Sequence, residues 1–462
     1  MQHFNTMTAA FDLPRAIQQT LTYDLATPTG YRALLVYLMD LLDWADFQII
    51  EQAASFSDTE STNLIGLRGP YTRGGLLLST AIRPQGTADA TQWTVTEENP
   101  RNSTWRDGAL YAHGATAGLP DLLIKAHAAS RIDRNEYKQP LILAGLFGSA
   151  AHVSGIMHLM DSGVCAPDMA LVGAGTNLEL AHTHPGELDL RIEICQTKTS
   201  PPAGEYTYDA ELTGPMNTDA ISRANRVGRT LKAIHTLRQQ CVFSVHQLSA
   251  AHDKPPTFSI ATNEATPPRS PDLKFHLART TPGSAEDTIL SAFTAISPRL
   301  MQLVRWHRPL WSRVNSTPSL FSAIRPVRDG LEFALQHWPL PGENTEVLVQ
   351  DVRSEVQRLL PEHLVSRVDI ARSVLPFDAA GKGRLLKTCR SGLYRLGIPP
   401  VTGHFPLATE AWLLPAYQVD TVVFGPGRQA ELHGRGNEHV PLNHIERAAD
   451  LYEYVIRRMC CR

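Results

Sequence analysis

Two short apolar runs, PLILAGLF at 140–147 and MALVG at 169–173, constrain this chain more than any other feature. Strands of this kind are covered on both faces, as in a parallel sheet flanked by helices. Helix-patterned segments lie around them, LPDLLIKAHAASRI at 119–132 and SGIMHLMDSG at 154–163. Pro120 is tolerated there in a first helical turn. Strands alternating with helices predict an α/β sandwich of three layers around a largely parallel sheet. Upstream, residues 31–55 read as an amphipathic helix leading into a strand. NLIGLRG and GGLLLSTAI read as two strands bracketing a turn at Pro70 to Gly75.

The pattern changes near residue 187. LDLRIEI alternates like a sheet with one wet face, and residues 219–241 carry apolar residues at helical spacing. Residues 262–320 are extra material, starting in a Pro/Ser/Thr/Asn-rich loop and continuing into one or two helices. Trp306, His307 and Trp311 there read as helix-packed core aromatics. With 462 residues the chain has length for two domains. We expect one built from 1–186 and 351–462, with 187–350 inserted as an α+β unit.

Net charge of −3 gives no electrostatic case for nucleic acid or an anionic membrane. No apolar run is long enough to span a bilayer. The polar N-terminus does not read as a signal peptide. The six cysteines show no CxxC pair, which reads as reduced thiols in a cytoplasmic protein. Cys460 and Cys461 read as part of a frayed tail.

Six segments then occur in a telling order: GGLLLS ending at Ser79, DGALYAHGATAG at 107–118, QPLILAG at 139–145, PDMALVGAGTNL at 167–178, HWPLPG at 337–342, and VVFGPG with HGRGNEHVPL at 422–442. In that order and spacing the chain resembles the M20 metallopeptidases over roughly 10–260 and 320–462. Its closest likeness is to acetylornithine deacetylases, with carboxypeptidase G2-like and succinyl-diaminopimelate desuccinylase-like enzymes more distant. The resemblance implies a catalytic-type domain with an inserted lid that makes a homodimer, with ALQHWPLPG at 334–342 in the place of the lid's last strand. It also implies two zinc ions, held by carboxylates and imidazoles around an open water position.

Carried over position by position, the motifs leave most of that machinery without its side chains. Ala81 stands at the first histidine and Arg83 at the aspartate that orients it. Ala117 stands at the bridging aspartate. Ser149 and Ala150 stand at the general base and the next ligand; a slip of two puts His152 at the ligand. Ala174 stands at a further carboxylate. Ala210 stands at the lid histidine that polarises the scissile carbonyl. His433 matches the final histidine ligand, and Glu410 matches an acid near the substrate end. One retained imidazole does not make a zinc site, so no metal or other cofactor is expected. An alternative trio of imidazoles is His113, His152 and His433. The pair His182 and His184 reads as polar residues at a strand end.

The expectation is a pseudo-hydrolase that keeps the fold and binds a small amino-acid-like ligand or a partner protein. The alternative is a metal-independent enzyme of amide or acyl transfer in a biosynthetic pathway. Ser149, His152, Glu410 and His433 would be its acid–base groups. A structural subunit of an active relative is a third reading.

Overall fold

The apolar runs form the centre of a nine-stranded mixed sheet, which sits between two helical layers. The computed structural model describes residues 11–56, 59–82, 89–147, 154–196, 330–379, 381, 383–432 and 435–461. It also describes 206–212, 230, 233–234, 244–249, 257–262, 273–277, 289–290, 292–293, 296–300 and 321–327. Contacts divide the chain into Met1–Pro185 with Leu375–Arg462, and Gly186–Val374.

In the first unit the opening elements are α1 (Leu13–Thr20), α2 (Pro28–Trp44), β1 (Gln48–Phe56), β2 (Thr59–Arg68) and β3 (Leu76–Ala81). Then come β4 (Thr104–Arg106), β5 (Ala109–Tyr111), α3 (Gly118–Ser130), β6 (Leu141–Leu146), α4 (Ser154–Asp161), β7 (Met169–Gly173) and β8 (Leu180–His184). The inserted unit holds β9 (Glu187–Gln196), β10 (Tyr206–Leu212), β11 (Ser244–Ser249), β12 (Thr257–Thr262) and β13 (Leu273–Leu277). It continues with β14 (Phe321–Val327), β15 (Gly330–His337), α5 (Thr345–Leu359) and β16 (Leu364–Val374). The first unit resumes with β17 (Phe377–Asp378), α6 (Arg384–Arg395), β18 (Thr402–His404), β19 (Asp420–Phe424), α7 (Gln429–Leu432), β20 (His439–Pro441) and α8 (Leu442–Met459).

The large sheet runs β1-β2-β6-β3-β7-β19-β8-β17, with β18 beside β8. Its middle, β6-β3-β7-β19, is parallel. Both flanks are antiparallel, so the sheet is mixed where the apolar runs predict a largely parallel one. An apolar run records that a strand is covered, but not which way it points. Helices α1, α2, α3, α6 and α8 supply the apolar cluster that includes Leu34, Leu122, Leu385 and Tyr452. Ile156 and Leu159 of α4 join Phe377, Ala411 and Leu414 in a second cluster. The first and last residues of the parallel strands thus lie between two apolar layers, and their C-terminal ends, Leu146, Ala81, Gly173 and Phe424, share one edge.

The inserted unit is two four-stranded antiparallel sheets, β14-β15-β9-β16 and β11-β12-β10-β13, around its own core. It ends later than the sequence suggests. The sequence reading ends the lid at 350, beyond ALQHWPLPG at 334–342 as its last strand, and returns α5 to the first unit. In the structure β16 pairs along β9, from Leu364 opposite Gln196 to Val374 opposite Glu187, and Val352 and Val356 of α5 lie in the inserted unit's core. The long helix expected at 219–241 and most of 262–320, with Trp306, His307 and Trp311, lie outside the described residues.

The C-terminus is pinned, not frayed. Cys460 is fully buried, its carbonyl accepts the amides of Lys138 and Gln139, and burial pushes its thiol up to about 12. Among the described residues no cysteine forms a disulfide, and no helix is long and apolar enough to cross a membrane.

Candidate functional site

Three segments carrying alanine meet at the C-terminal edge of the parallel strands. Strand β3 ends at Ala81, half-buried. Helix α3 begins against it, because Gly118 leaves no side chain between the helix and the Ala81 carbonyl; a Cβ there would collide with that oxygen. Beyond β7, Gly175 donates its amide to Gln429 Oε1 at 3.1 Å and accepts the Gln429 amide at 2.9 Å. It also packs on the carbonyl of Thr116. Ala81, Ala117 and Ala174 therefore stand on converging segments, the last two buried.

The loop into α3 is fixed by one carboxylate. Glu438 is fully buried and accepts the Gly114 amide at 3.2 Å, the Thr116 amide at 2.8 Å and the Thr116 hydroxyl at 2.6 Å. Hydrogen bonds to an ionised acceptor are about twice as strong as neutral ones. The small sheet β20-β5-β4 holds both partners in place. Ala117 is the N-cap of α3 and provides no side-chain oxygen to its first amides. A helix start without a cap favours an anionic group.

Within the first two or so turns of α3, Asp121 and Lys125 form a buried ion pair at 2.6 Å. The Lys125 ammonium also donates to the carbonyls of Ser79 at 2.8 Å and Leu171 at 3.2 Å, and the Tyr452 hydroxyl donates to Asp121. Burial pushes the Asp121 carboxyl up, while Lys125 and Tyr452 pull it back. Gly173 makes room for the pair: a Cβ on it would collide with the carboxylate.

Glu410 opens a short helical turn, Glu410–Trp412, and is 3% exposed. Among the described residues its Oε1 has no hydrogen-bond partner. Burial pushes its pKa up to about 7; its own backbone and Lys125 oppose this, and Asp121 adds to it. The preceding residue is tethered by His184. The His184 ring shares Nδ1 with the Pro185 carbonyl at 2.8 Å and accepts the Thr409 amide at Nε2 at 3.3 Å. That pattern fixes the proton on Nδ1. Burial holds the imidazole down at about 4, so it stays neutral. His184 thus has a definite structural task that its place at a strand end does not announce. His182, on the same strand, is half-buried, with its ring 6.0 Å from that of His404.

Other expected residues are placed as follows. His113 packs edge-on to Trp93 at 6.4 Å and donates its amide to Pro100. Ala210 lies in β10, buried in the core of the inserted unit between Phe258 and Phe275. Arg83, Ser149, Ala150, His152 and His433 lie outside the described residues. Among the described residues no group of three or more His, Cys, Asp or Glu side chains is arranged to hold a metal ion. Glu438, Asp121 and Lys125 are absent from the sequence expectation. Their only signals are an acid five residues after His433 and an i,i+4 charge pair in an otherwise apolar helix.

Residues 85–458 match the profile of Peptidase family M20/M25/M40. The chain belongs to this family. Solved structures agree on the fold. Human carnosine dipeptidase 1 aligns over 96% of this chain and 95% of its own at 11% identity, with a TM-score of 0.56. A tripeptidase from Staphylococcus aureus aligns over 96% and 97% at 12% identity, with a TM-score of 0.57. The aminoacylhistidine dipeptidase of Vibrio alginolyticus aligns over 99% of both chains at 13% identity, with a TM-score of 0.54. No curated protein sequence matches the chain significantly. M20 membership explains the inserted unit and the converging strand ends. At these identities it transfers the architecture alone.

Proposed function

We propose that this M20 protein has lost its two-zinc site and uses the edge of its parallel strands to bind a small amino-acid-like ligand. The observation that carries the reading is the side chain at three converging positions. Ala81, Ala117 and Ala174 stand where the family motif places an imidazole and two carboxylates, and a methyl group has no lone pair for a metal. The donor set in the described residues therefore does not fit the family's zinc pair. What remains is an uncapped helix start at Ala117, suited to a carboxylate. A partner protein at the same edge is the other occupant this reading allows. The free thiols accord with a cytoplasmic setting.

The test uses purified protein and N-acetyl-L-ornithine. We expect less than about 0.2 zinc per chain, since a bound zinc needs three or four protein ligands. We also expect saturable binding by calorimetry without release of acetate, with or without added zinc. Metal-dependent turnover by the native protein would overturn the reading. Ala117→Asp alone should restore nothing, because the parts of such a site act as a unit.

One observation favours the second reading, a metal-independent acyl-transfer enzyme. Glu410 keeps a buried carboxyl whose Oε1 has no partner among the described residues, and a pKa of about 7, the range a general acid or base needs near neutrality. Turnover that survives chelator and is lost in Glu410→Gln would establish this reading instead.

A further inference from the structure

A second binding site lies on the outer helical layer. Helices α6 and α8 cross closely because residue 392 is glycine: a Cβ there would come within 2.6 Å of Leu451 and 2.7 Å of the Tyr454 ring. Beside this crossing is a groove of about 410 Å³ lined by Arg384, Lys387, Thr388, Ser391, Tyr454 and Arg458. Its lining carries three cations, three hydroxyls and no carboxylate.

The surrounding acids are engaged elsewhere. On α8, Asp450 pairs with Arg131 at 2.9 Å, and Glu453 pairs with Arg457 at 2.9 Å and Arg131 at 3.4 Å. Glu136 pairs with Arg457 at 3.1 Å. Asp420, the first residue of β19, accepts the Leu385 amide near the start of α6 at 2.8 Å. Among the described residues the groove cations thus face one another without a counter-charge.

Two arginines are also held in place by an aromatic ring. The Arg458 guanidinium lies 5.4 Å from the centre of Tyr454, and that of Arg395 lies 5.8 Å from it. Stacked guanidinium groups keep their donors free for a planar or tetrahedral oxyanion. Their side-chain freedom is already reduced before any ligand arrives.

We propose that this groove binds a small anion bearing two or more linked phosphoryl groups. Length decides against a single phosphate. Arg384, Lys387 and Ser391 occupy one face of α6 and span about 10 Å at 1.5 Å per residue, which exceeds one phosphoryl group. Net charge argues against a long nucleic acid, because the chain as a whole is at −3. The site is separate from the strand-edge site and stands or falls independently of it.

The experiment is calorimetric titration of the full chain with inorganic pyrophosphate in metal-free buffer at low ionic strength. We expect saturable binding of one pyrophosphate per chain, at least about tenfold tighter than orthophosphate and weakened by salt. Lys387→Gln with Arg458→Gln should weaken it about tenfold or more, with the unliganded melting temperature unchanged. Lys387→Gln alone, at an exposed position, should weaken it measurably and guards against a folding defect in the double variant. Arg32→Gln, on another face, should leave it as it is. The proposal fails if native protein gives no saturable heat or binds orthophosphate equally well. It also fails if binding persists undiminished in the Lys387→Gln/Arg458→Gln chain.

Discussion

Two buried residues, Glu410 and His184, should act on the pH dependence of this protein's stability with opposite signs. The Glu410 carboxyl has a pKa near 7 when folded and an ordinary one, near 4.5, when unfolded. Below the lower value both states hold the proton and Glu410 has no effect on stability. Between the two values the folded state binds more protons, so stability falls as pH rises, and the loss is complete above about 7. Its full size is on the order of 3 kcal/mol. Glu410→Gln should therefore remove a falling component from the pH profile of urea unfolding between about 5 and 7.5 and leave the variant more stable than native at the upper end. A variant that keeps the native slope would show that the carboxyl is solvated. His184 contributes with the opposite sign, over the range from about 4 to 6.5. Its pKa is held at about 4, so in this window it is neutral folded and loses its charge only in the unfolded chain, around its usual value. By itself it favours the folded state as pH rises through 6.5, opposite in sign to Glu410 and separable by His184→Gln.

At the scale of the element, α3 is the piece on which most depends. Its start forms one wall of the strand-edge site, and its middle buries Asp121 and Lys125. Lys125→Met should destabilise the fold by about 3–5 kcal/mol, because it strands a buried carboxylate. Asp121→Asn with Lys125→Met should recover part of that loss, measured by denaturant unfolding. Equality between the double variant and the sum of the singles would mean that the pair is not coupled. This pair also shows where the sequence stops being legible. MALVG, PLILAGLF and VVFG announce covered strands, and DGALYAHGAT sets the register of Ala117 by its motif. An Asp–Lys pair at i,i+4 reads as a solvated surface pair until the fold covers it. Glu438 likewise becomes meaningful only when β20 and β5 set it beside the 114–116 loop. The end of the inserted unit is hidden for a related reason. The pattern of α5 and β16 suits either unit, and the pairing of β16 with β9 across a long stretch of chain decides it.

For the whole molecule, the inserted unit is the natural place for self-association. Among the described residues β16 is an edge of its four-stranded sheet, and it leaves Val365 and Ile370 about half exposed. An unpaired strand edge with apolar side chains invites another strand, and two copies meeting there about a two-fold axis form a closed pair. We predict a homodimer by sedimentation at micromolar concentration, and a monomer for Val365→Lys with Ile370→Lys. A native monomer, or a dimer indifferent to both lysines, would place assembly elsewhere or deny it.

The pairing of Glu187 with Val374 has a further consequence. These residues lie at the two ends of the inserted unit, and as cross-strand partners they hold its way in and its way out roughly 5 Å apart. To the surrounding fold, a branch of nearly two hundred residues is then no wider than a hairpin turn. The closure entropy it imposes is that of a short loop rather than of its full length. Such a branch can lengthen, as at 262–320, or change its own sheets without moving a strand of its host. A lineage can therefore rework one part freely while the other holds still.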